Sequence, residues 1–201
     1  KYRTDCKRDW FLDEEPPHQV YLDDFYMDIY EVTNALYEEC IEARVCDPPA
    51  RTSSFTHENY YGNSSFDNYP VINVNWEQAK QYCEWRGARL PIEAEWEKAA
   101  RGTDGRIYPW GNESIETRFA NYGGNVDDTS EVGAYPDGIS PYGLYDMAGN
   151  VWEWVSDWYH AYPGNTVGNS AYGTTNRVLR GGSWNYNLYN LRVSNRDRIN
   201  P

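Results

Sequence analysis

Gly143-Leu144-Tyr145-Asp146-Met147-Ala148-Gly149-Asn150-Val151-Trp152-Glu153-Trp154 is the stretch on which the reading of this chain turns. Gly149-Asn150 reads as a bend, because Gly accepts positive φ without steric cost and Asn tolerates the left-handed region. The aromatic and β-branched run Trp152–Val155 that follows is a short strand candidate. A glycine bend feeding a short strand sets the grammar of everything after Gly102. There Gly, Asn, Asp, Pro and aromatics dominate, and Arg177–Arg180 is the other good strand candidate.

Upstream the grammar is helical. Asn75 caps a helix with Gln78 three residues on, as in a capping box, and Gly87 ends it; Ala79, Tyr82, Cys83 and Arg86 lie near one face. A second helix begins at Pro91, carries Glu93 and Glu95 at its positive end, and stops before Gly102. A third starts around Glu31-Val32-Thr33-Asn34, capped by Thr33 or Asn34, with Ala35, Leu36, Cys40 and Ile41 as its stripe. Residues 44–69 form a long loop. Val20, Leu22, Phe25 and Tyr26 read as one or two opening strands. Helices first and short strands later predict an α+β domain with two or three helices, short antiparallel strands and many irregular loops.

Composition bounds the function. With 201 residues the chain suits a single domain spanning 1–201. Thirty-one acids against 18 bases give a net charge of −13, which repels phosphate backbones and argues against nucleic acid. No apolar run approaches a membrane span. Nineteen Tyr and 9 Trp supply much of the hydrophobic content, and such residues suit wet cores and recognition surfaces alike. Of four cysteines, Cys6, Cys40, Cys46 and Cys83, two lie six positions apart. Their even number favours two disulfides in an oxidising compartment over zinc, with Cys40–Cys46 as one staple of the long loop. The start at Lys1-Tyr2-Arg3 carries no signal peptide and reads as a piece of something longer.

Six ordered motifs say more. They are Tyr30-Glu31-Val32-Thr33-Asn34; Pro70-Val71-Ile72-Asn73-Val74-Asn75-Trp76; Gly87 through Glu97; Tyr108-Pro109-Trp110-Gly111; the stretch quoted first; and Arg180-Gly181-Gly182-Ser183-Trp184. Together they resemble the formylglycine-generating enzyme family, also called sulfatase-modifying factors, over nearly the whole chain. The resemblance implies a C-type-lectin-like α+β fold; the family's first strand and its closing Gly-Phe-Arg strand are missing here. It also implies a calcium ion held by the Asp146 carboxylate, the carbonyls of Gly149 and Val151, and the Glu153 carboxylate. Those are hard oxygen donors suited to that ion. A second family site near Asn121 would fall to Asp127 or Asp128.

Activity does not carry over. Catalytic members of the family use copper and two cysteines shortly after Gly-Gly-Ser, and no cysteine occurs here after Cys83. Asn and Tyr cannot build a soft thiolate site, so no copper is expected. Glu93 and Glu97 read as a solvated helix face, and Asp157 with His160 lacks a nucleophile. The chain is therefore expected not to be an enzyme.

Residues 184–200 resemble the variable region of proteins diversified by retroelements, which use this same fold. Tyr186, Leu188, Tyr189, Asp197 and Ile199 fit single or double adenine changes in AAC codons, whereas Asn185, Asn187, Asn190 and Asn200 would be unchanged. With Trp184, these form the candidate ligand face. Tyr offers rigid amphipathic area and Asn offers hydrogen bonds of either sense. Leu191 and Val193 read as core, and Arg192, Arg196 and Arg198 as partners for carboxylates. The expectation is a non-catalytic, extracellular or cell-surface domain that binds a protein or glycan. The alternatives are a structural, self-associating subunit of a surface assembly and an oxidoreductase of altered mechanism.

Overall fold

The computed structural model describes residues 8–201. After a 3-10 turn at Arg8–Glu14 come three helices, α1 (Asn34–Glu42), α2 (Trp76–Trp85) and α3 (Glu93–Arg101). Three strands follow, β1 (Glu153–Trp158), β2 (Arg177–Arg180) and β3 (Asp197–Ile199). They form an antiparallel sheet in the order β1-β2-β3. This is an α+β domain. No helix among the described residues is long and apolar enough to cross a membrane.

The helices begin where their caps dictate. Thr33 Oγ1 accepts from Leu36 N at 3.3 Å, and the Asn75–Gln78 capping box is closed by two reciprocal bonds of 2.9 Å. Helix α3 starts two residues later than Pro91 suggested. The Pro91 carbonyl accepts instead from Ser156 N of β1, at 2.8 Å, so Pro91 ties the helix to the sheet. Asp157 of β1 then accepts from Glu93 N at 2.7 Å and satisfies an open amide of the first turn. Asp157 does not act with His160, which is exposed.

The main core joins α3 to the sheet through Trp96, Ala99, Ala100, Val155, Tyr159 and Val178, with Val193 from the chain leading to β3. A second cluster of Tyr37, Cys40, Cys46 and Tyr82 joins α1 to α2. Against the main core, over Trp96 and Tyr159, lies a buried ion network. Arg180, fully buried, reaches Glu93 at 3.2 Å and Glu97 at 2.7 Å, and Arg196 grips Glu93 at 2.7 and 2.9 Å. Glu93 is thus a core residue and not part of a solvated face. Two guanidiniums arriving from β2 and from the approach to β3 supply the charge that makes its burial tolerable.

Two further expectations are corrected. The opening strands at Val20, Leu22, Phe25 and Tyr26 are absent: this segment is irregular, and no described strand pairs with it. Phe25 and Met27 pack on the core while Tyr21 and Tyr26 stand in solvent. The cysteines also differ from the two-bridge expectation. Cys40 and Cys46 form a disulfide closing the turn after α1, but Cys83 carries a free thiol. Cys83 lies on α2 beside Asp28 and Arg86, and burial, with Asp28 adding to it, pushes its pKa up to about 11. Cys6 lies outside the described residues.

Candidate functional site

The segment after Gly181-Gly182 folds as a buried base carrying an exposed crest. Trp184 N donates to Asn150 O at 2.9 Å, and Gly124 N and Gly123 N donate to Trp184 O and Tyr186 O, each at 2.8 Å. The Asn187 side chain accepts from Tyr189 N at 3.0 Å and caps a 3-10 turn, Leu188–Leu191. Leu191, which ends the turn, is buried, as are Val193, Asn195 and Arg196 beyond it. On the crest Asn185, Tyr186, Asn187 and Leu188 are exposed, Tyr186 at 40 % and Leu188 at 39 %.

The ten expected ligand residues lie on two segments and differ in exposure. Asn185 to Leu188 stand on the crest beside half-buried Trp184, whereas Tyr189 and Asn190 are also half-buried. Asp197 and Ile199 belong to β3, an edge strand, with Asn200 immediately after it. Ile199 and Asn200 are exposed there and Asp197 is half-buried; Asn200 Nδ2 donates to Thr175 O at 3.2 Å. Two aromatics from elsewhere complete the crest. Trp152 meets Tyr186 edge-on at 5.3 Å, and Phe55, itself 75 % exposed, lies 5.2 Å from Trp184.

Phe55 owes its position to Asp128. That buried carboxylate accepts from Ser54 Oγ and Thr56 Oγ1 at 2.6 Å, and from Thr56 N and Thr129 N at 2.8 Å. Those donors hold its pKa below the ordinary value in spite of burial. Asp128 is saturated with donors and acts as a loop anchor. Asp127 is exposed.

The bend read from Gly149-Asn150 is real, and its chemistry is acidic. Gly149 has φ +87°, and a Cβ there would lie 2.3 Å from the Asn121 carbonyl oxygen, so only glycine fits. Asn150 is fully buried at φ 56°; its Oδ1 accepts from Ser130 N at 2.9 Å, and its Nδ2 donates to Glu31 Oε2 at 2.6 Å. Val151 N donates to Glu31 Oε1 at 3.1 Å, and Gly133 N to Asp146 Oδ2 at 2.7 Å. Glu153 Oε1 is buried and has no hydrogen-bond partner.

Three carboxylates thus share one neighbourhood; Asp146 raises both Glu31 and Glu153, and Glu153 raises Glu31. Burial lifts Asp146 to about 6 against the pull of the Gly133 amide. It lifts Glu153 to about 8, with Asp146 adding to the rise and the Trp96 indole opposing it. Glu31 is raised well above the usual range by burial and by both neighbours, partly offset by its bonds from Val151 and Asn150. No cation is among the groups that set these values. A buried anionic site without a counter-charge suits a hard cation. Among the described residues no group of three or more His, Cys, Asp or Glu side chains is arranged as a metal cage. A bound ion would therefore rest on backbone carbonyls, such as those of Gly149 and Val151, as much as on Asp146 and Glu153.

Sequence reasoning missed Glu31 and Phe55 as members of these sites. Glu31 had a signal, its place in a motif quoted above. Phe55 had none, because its exposure is created by Asp128, 73 positions away.

Residues 2–201 match the family described as sulfatase-modifying factor enzyme 1-like domain. The serine/threonine-protein kinase pkn1 of Chlamydia pneumoniae is 39 % identical over 94 % of this chain and 32 % of its own length. The chain thus spans about a third of that curated relative. The inactive C-alpha-formylglycine-generating enzyme 2 of Bos taurus is 43 % identical over 58 % of this chain and 38 % of its own. Among solved structures, Treponema denticola variable protein 1 superposes with a TM-score of 0.64 at 28 % identity, over 85 % of this chain and 77 % of that one. Formylglycine-generating enzymes and a hercynine oxygenase are also relatives, so active enzymes and an inactive protein share this scaffold.

Proposed function

We propose that this chain, which belongs to the sulfatase-modifying factor family, is a non-catalytic binding domain that displays a diversified surface outside the cytoplasm. The observation that carries the reading is the crest at residues 185–188. Where catalytic members of the family place redox cysteines, this chain places exposed Asn185, Tyr186, Asn187 and Leu188 on a base of buried Leu191, Val193 and Arg196. A rigid base under variable polar and aromatic positions is what a paratope needs. The ligand is a protein or a glycan. The Cys40–Cys46 disulfide favours an oxidising compartment, consistent with the cell surface.

Calcium at the Asp146–Glu153 bend is part of the same proposal. The ion would neutralise buried carboxylates that have no cation beside them and would stiffen the loop whose Asn150 carbonyl receives Trp184 N. When bound it supplies charge and coordination only; no chemical step runs through it.

The test is turnover. Chain supplied with copper(I) is incubated with a thiol-containing peptide and oxygen. No oxygen uptake and no peptide aldehyde are expected; steady aldehyde formation would restore the enzymatic reading.

A further inference from the structure

Phe55 is 75 % exposed, so its ring adds little to the core. The loop that carries it is nevertheless tied down. Thr52 O accepts from Tyr60 N and Tyr61 N, each at 2.9 Å, and Ser54 N donates to His57 O at 2.9 Å. Ser53 O accepts from Asn73 Nδ2 at 3.0 Å. The Asp128 carboxylate takes the hydroxyls of Ser54 and Thr56, the residues on either side of Phe55. A lone exposed aromatic is ordinary on any surface. Here a buried carboxylate, costly without its donors, fixes the backbone on both sides of the ring.

One loop sets Phe55 in register with the crest. Gly123 N and Gly124 N hold the carbonyls of Tyr186 and Trp184, and Asp128 of the same loop holds Ser54 and Thr56. The Phe55 ring is thereby kept 5.2 Å from that of Trp184. Phe55 lies outside residues 184–200, so its ring stays constant whatever the crest carries.

Ring geometry and charge select the class of ligand. The Phe55–Trp184 pair is inclined at 45° and the Trp152–Tyr186 pair at 82°, so neither forms a flat platform for a sugar face. Residues 184–188, Phe55 and Trp152 carry no charged side chain, in a protein of net charge −13. Enrichment in aromatics with depletion of charge marks the centre of a protein–protein interface. Aromatic anchors at such centres carry much of the binding free energy, and a rigid one loses little entropy on binding.

We propose that Phe55 is a constant anchor of the binding face: an apolar side chain of a protein ligand seats against Phe55 and Trp184, while Tyr186 and Leu188 select which protein. This rests on the reading of the crest as a binding surface, and names the partner class and one further residue of that same site. Affinity then has a fixed part, supplied by Phe55, and a variable part, supplied by the crest.

The full chain is displayed on phage with Tyr186, Leu188, Tyr189, Asp197 and Ile199 randomised. Binders are selected on immobilised lysozyme and, separately, on dextran. Independent lysozyme binders are expected, and Phe55→Ala is expected to weaken each at least about tenfold, as loss of an interface anchor implies. Phe55→Trp, which keeps a ring on the same loop, should retain binding. Tyr142→Ala, at an exposed aromatic beside Lys98 of α3, should leave affinity unaltered. The melting temperature of Phe55→Ala should match that of its parent; a fall accompanying the lost binding would make Phe55 structural and overturn the inference. Lysozyme binders that ignore Phe55→Ala, or lose as much on Tyr142→Ala, overturn it and leave the crest reading intact. Binders on dextran alone overturn it too, because the face would then suit a glycan. No binder on either surface defeats the crest reading and the inference with it.

Discussion

Asn150 Nδ2 donates to Glu31 Oε2 at 2.6 Å, joining positions 119 residues apart. The same Asn side chain accepts from Ser130 N, so one fully buried amide ties the segment before α1, the 121–130 loop and the acidic bend together. Asn150→Ala would leave the buried Ser130 N–H without its acceptor and the Glu31 carboxylate with the Val151 amide alone. A loss of about 2–4 kcal/mol in folding free energy is expected, read by chemical denaturation. A change under about 0.5 kcal/mol would mean that the network is not under tension from burial.

The acidic bend gives stability an unusual pH dependence. Asp146 and Glu153 ionise at about 6 and about 8 in the fold, against ordinary values of 3.8 and 4.5. Between those values the folded chain holds protons that the unfolded chain has released. Their contribution is therefore full below the ordinary values and is lost as pH rises toward about 8. Glu95 and Asp104 act in the opposite sense, since Arg89 and Arg106 hold them below their ordinary values, and their stabilisation is lost in acid. The metal-free protein should thus melt highest in mild acid and lose stability through neutrality. Glu153→Gln should flatten the upper limb.

Calcium should reverse that slope. Binding needs ionised carboxylates, so the ion displaces protons and stabilises most where the free protein is weakest. The measurement is melting temperature with and without calcium at mildly acidic and mildly alkaline pH. The expected result is a larger gain in alkali. An equal gain at both would point to binding elsewhere.

The crest and its base should respond oppositely to truncation. Tyr186→Ala and Leu188→Ala remove side chains about 40 % exposed and should cost under about 1 kcal/mol each. Leu191→Ala, at a fully buried position, should cost about 2–5 kcal/mol. Comparable losses at all three would show that the crest is structural and not a surface free to vary.

The buried ion network allows a sharper test of packing. Glu93→Ala leaves Arg196 without its carboxylate and Arg180 with Glu97 alone, so a loss of about 3–5 kcal/mol is expected by denaturation.

Much of this was legible in the chain. The cap at Asn75 was readable, and that of α1 was narrowed to Thr33 or Asn34, because capping is local chemistry. So was the bend at Gly149-Asn150, whose glycine the Asn121 carbonyl makes obligatory. What failed depends on distant partners. Val20 to Tyr26 looked like strand, but alternation cannot form a ladder without a neighbour. Glu93 looked solvated because the arginines that bury it lie 87 and 103 residues further on. Tyr189 was read as exposed, yet it is half-buried, with Phe11 6.4 Å away.

The most direct test of the central claim is the nucleotide sequence encoding residues 184–201 together with its flanks. The account predicts a nearby, near-identical copy differing only at adenines, beside a reverse transcriptase gene. Asn185, Asn187, Asn190 and Asn200 should be unaltered, and Tyr186, Leu188, Tyr189, Asp197 and Ile199 altered. A locus with neither copy nor reverse transcriptase would contradict a diversified surface at these positions.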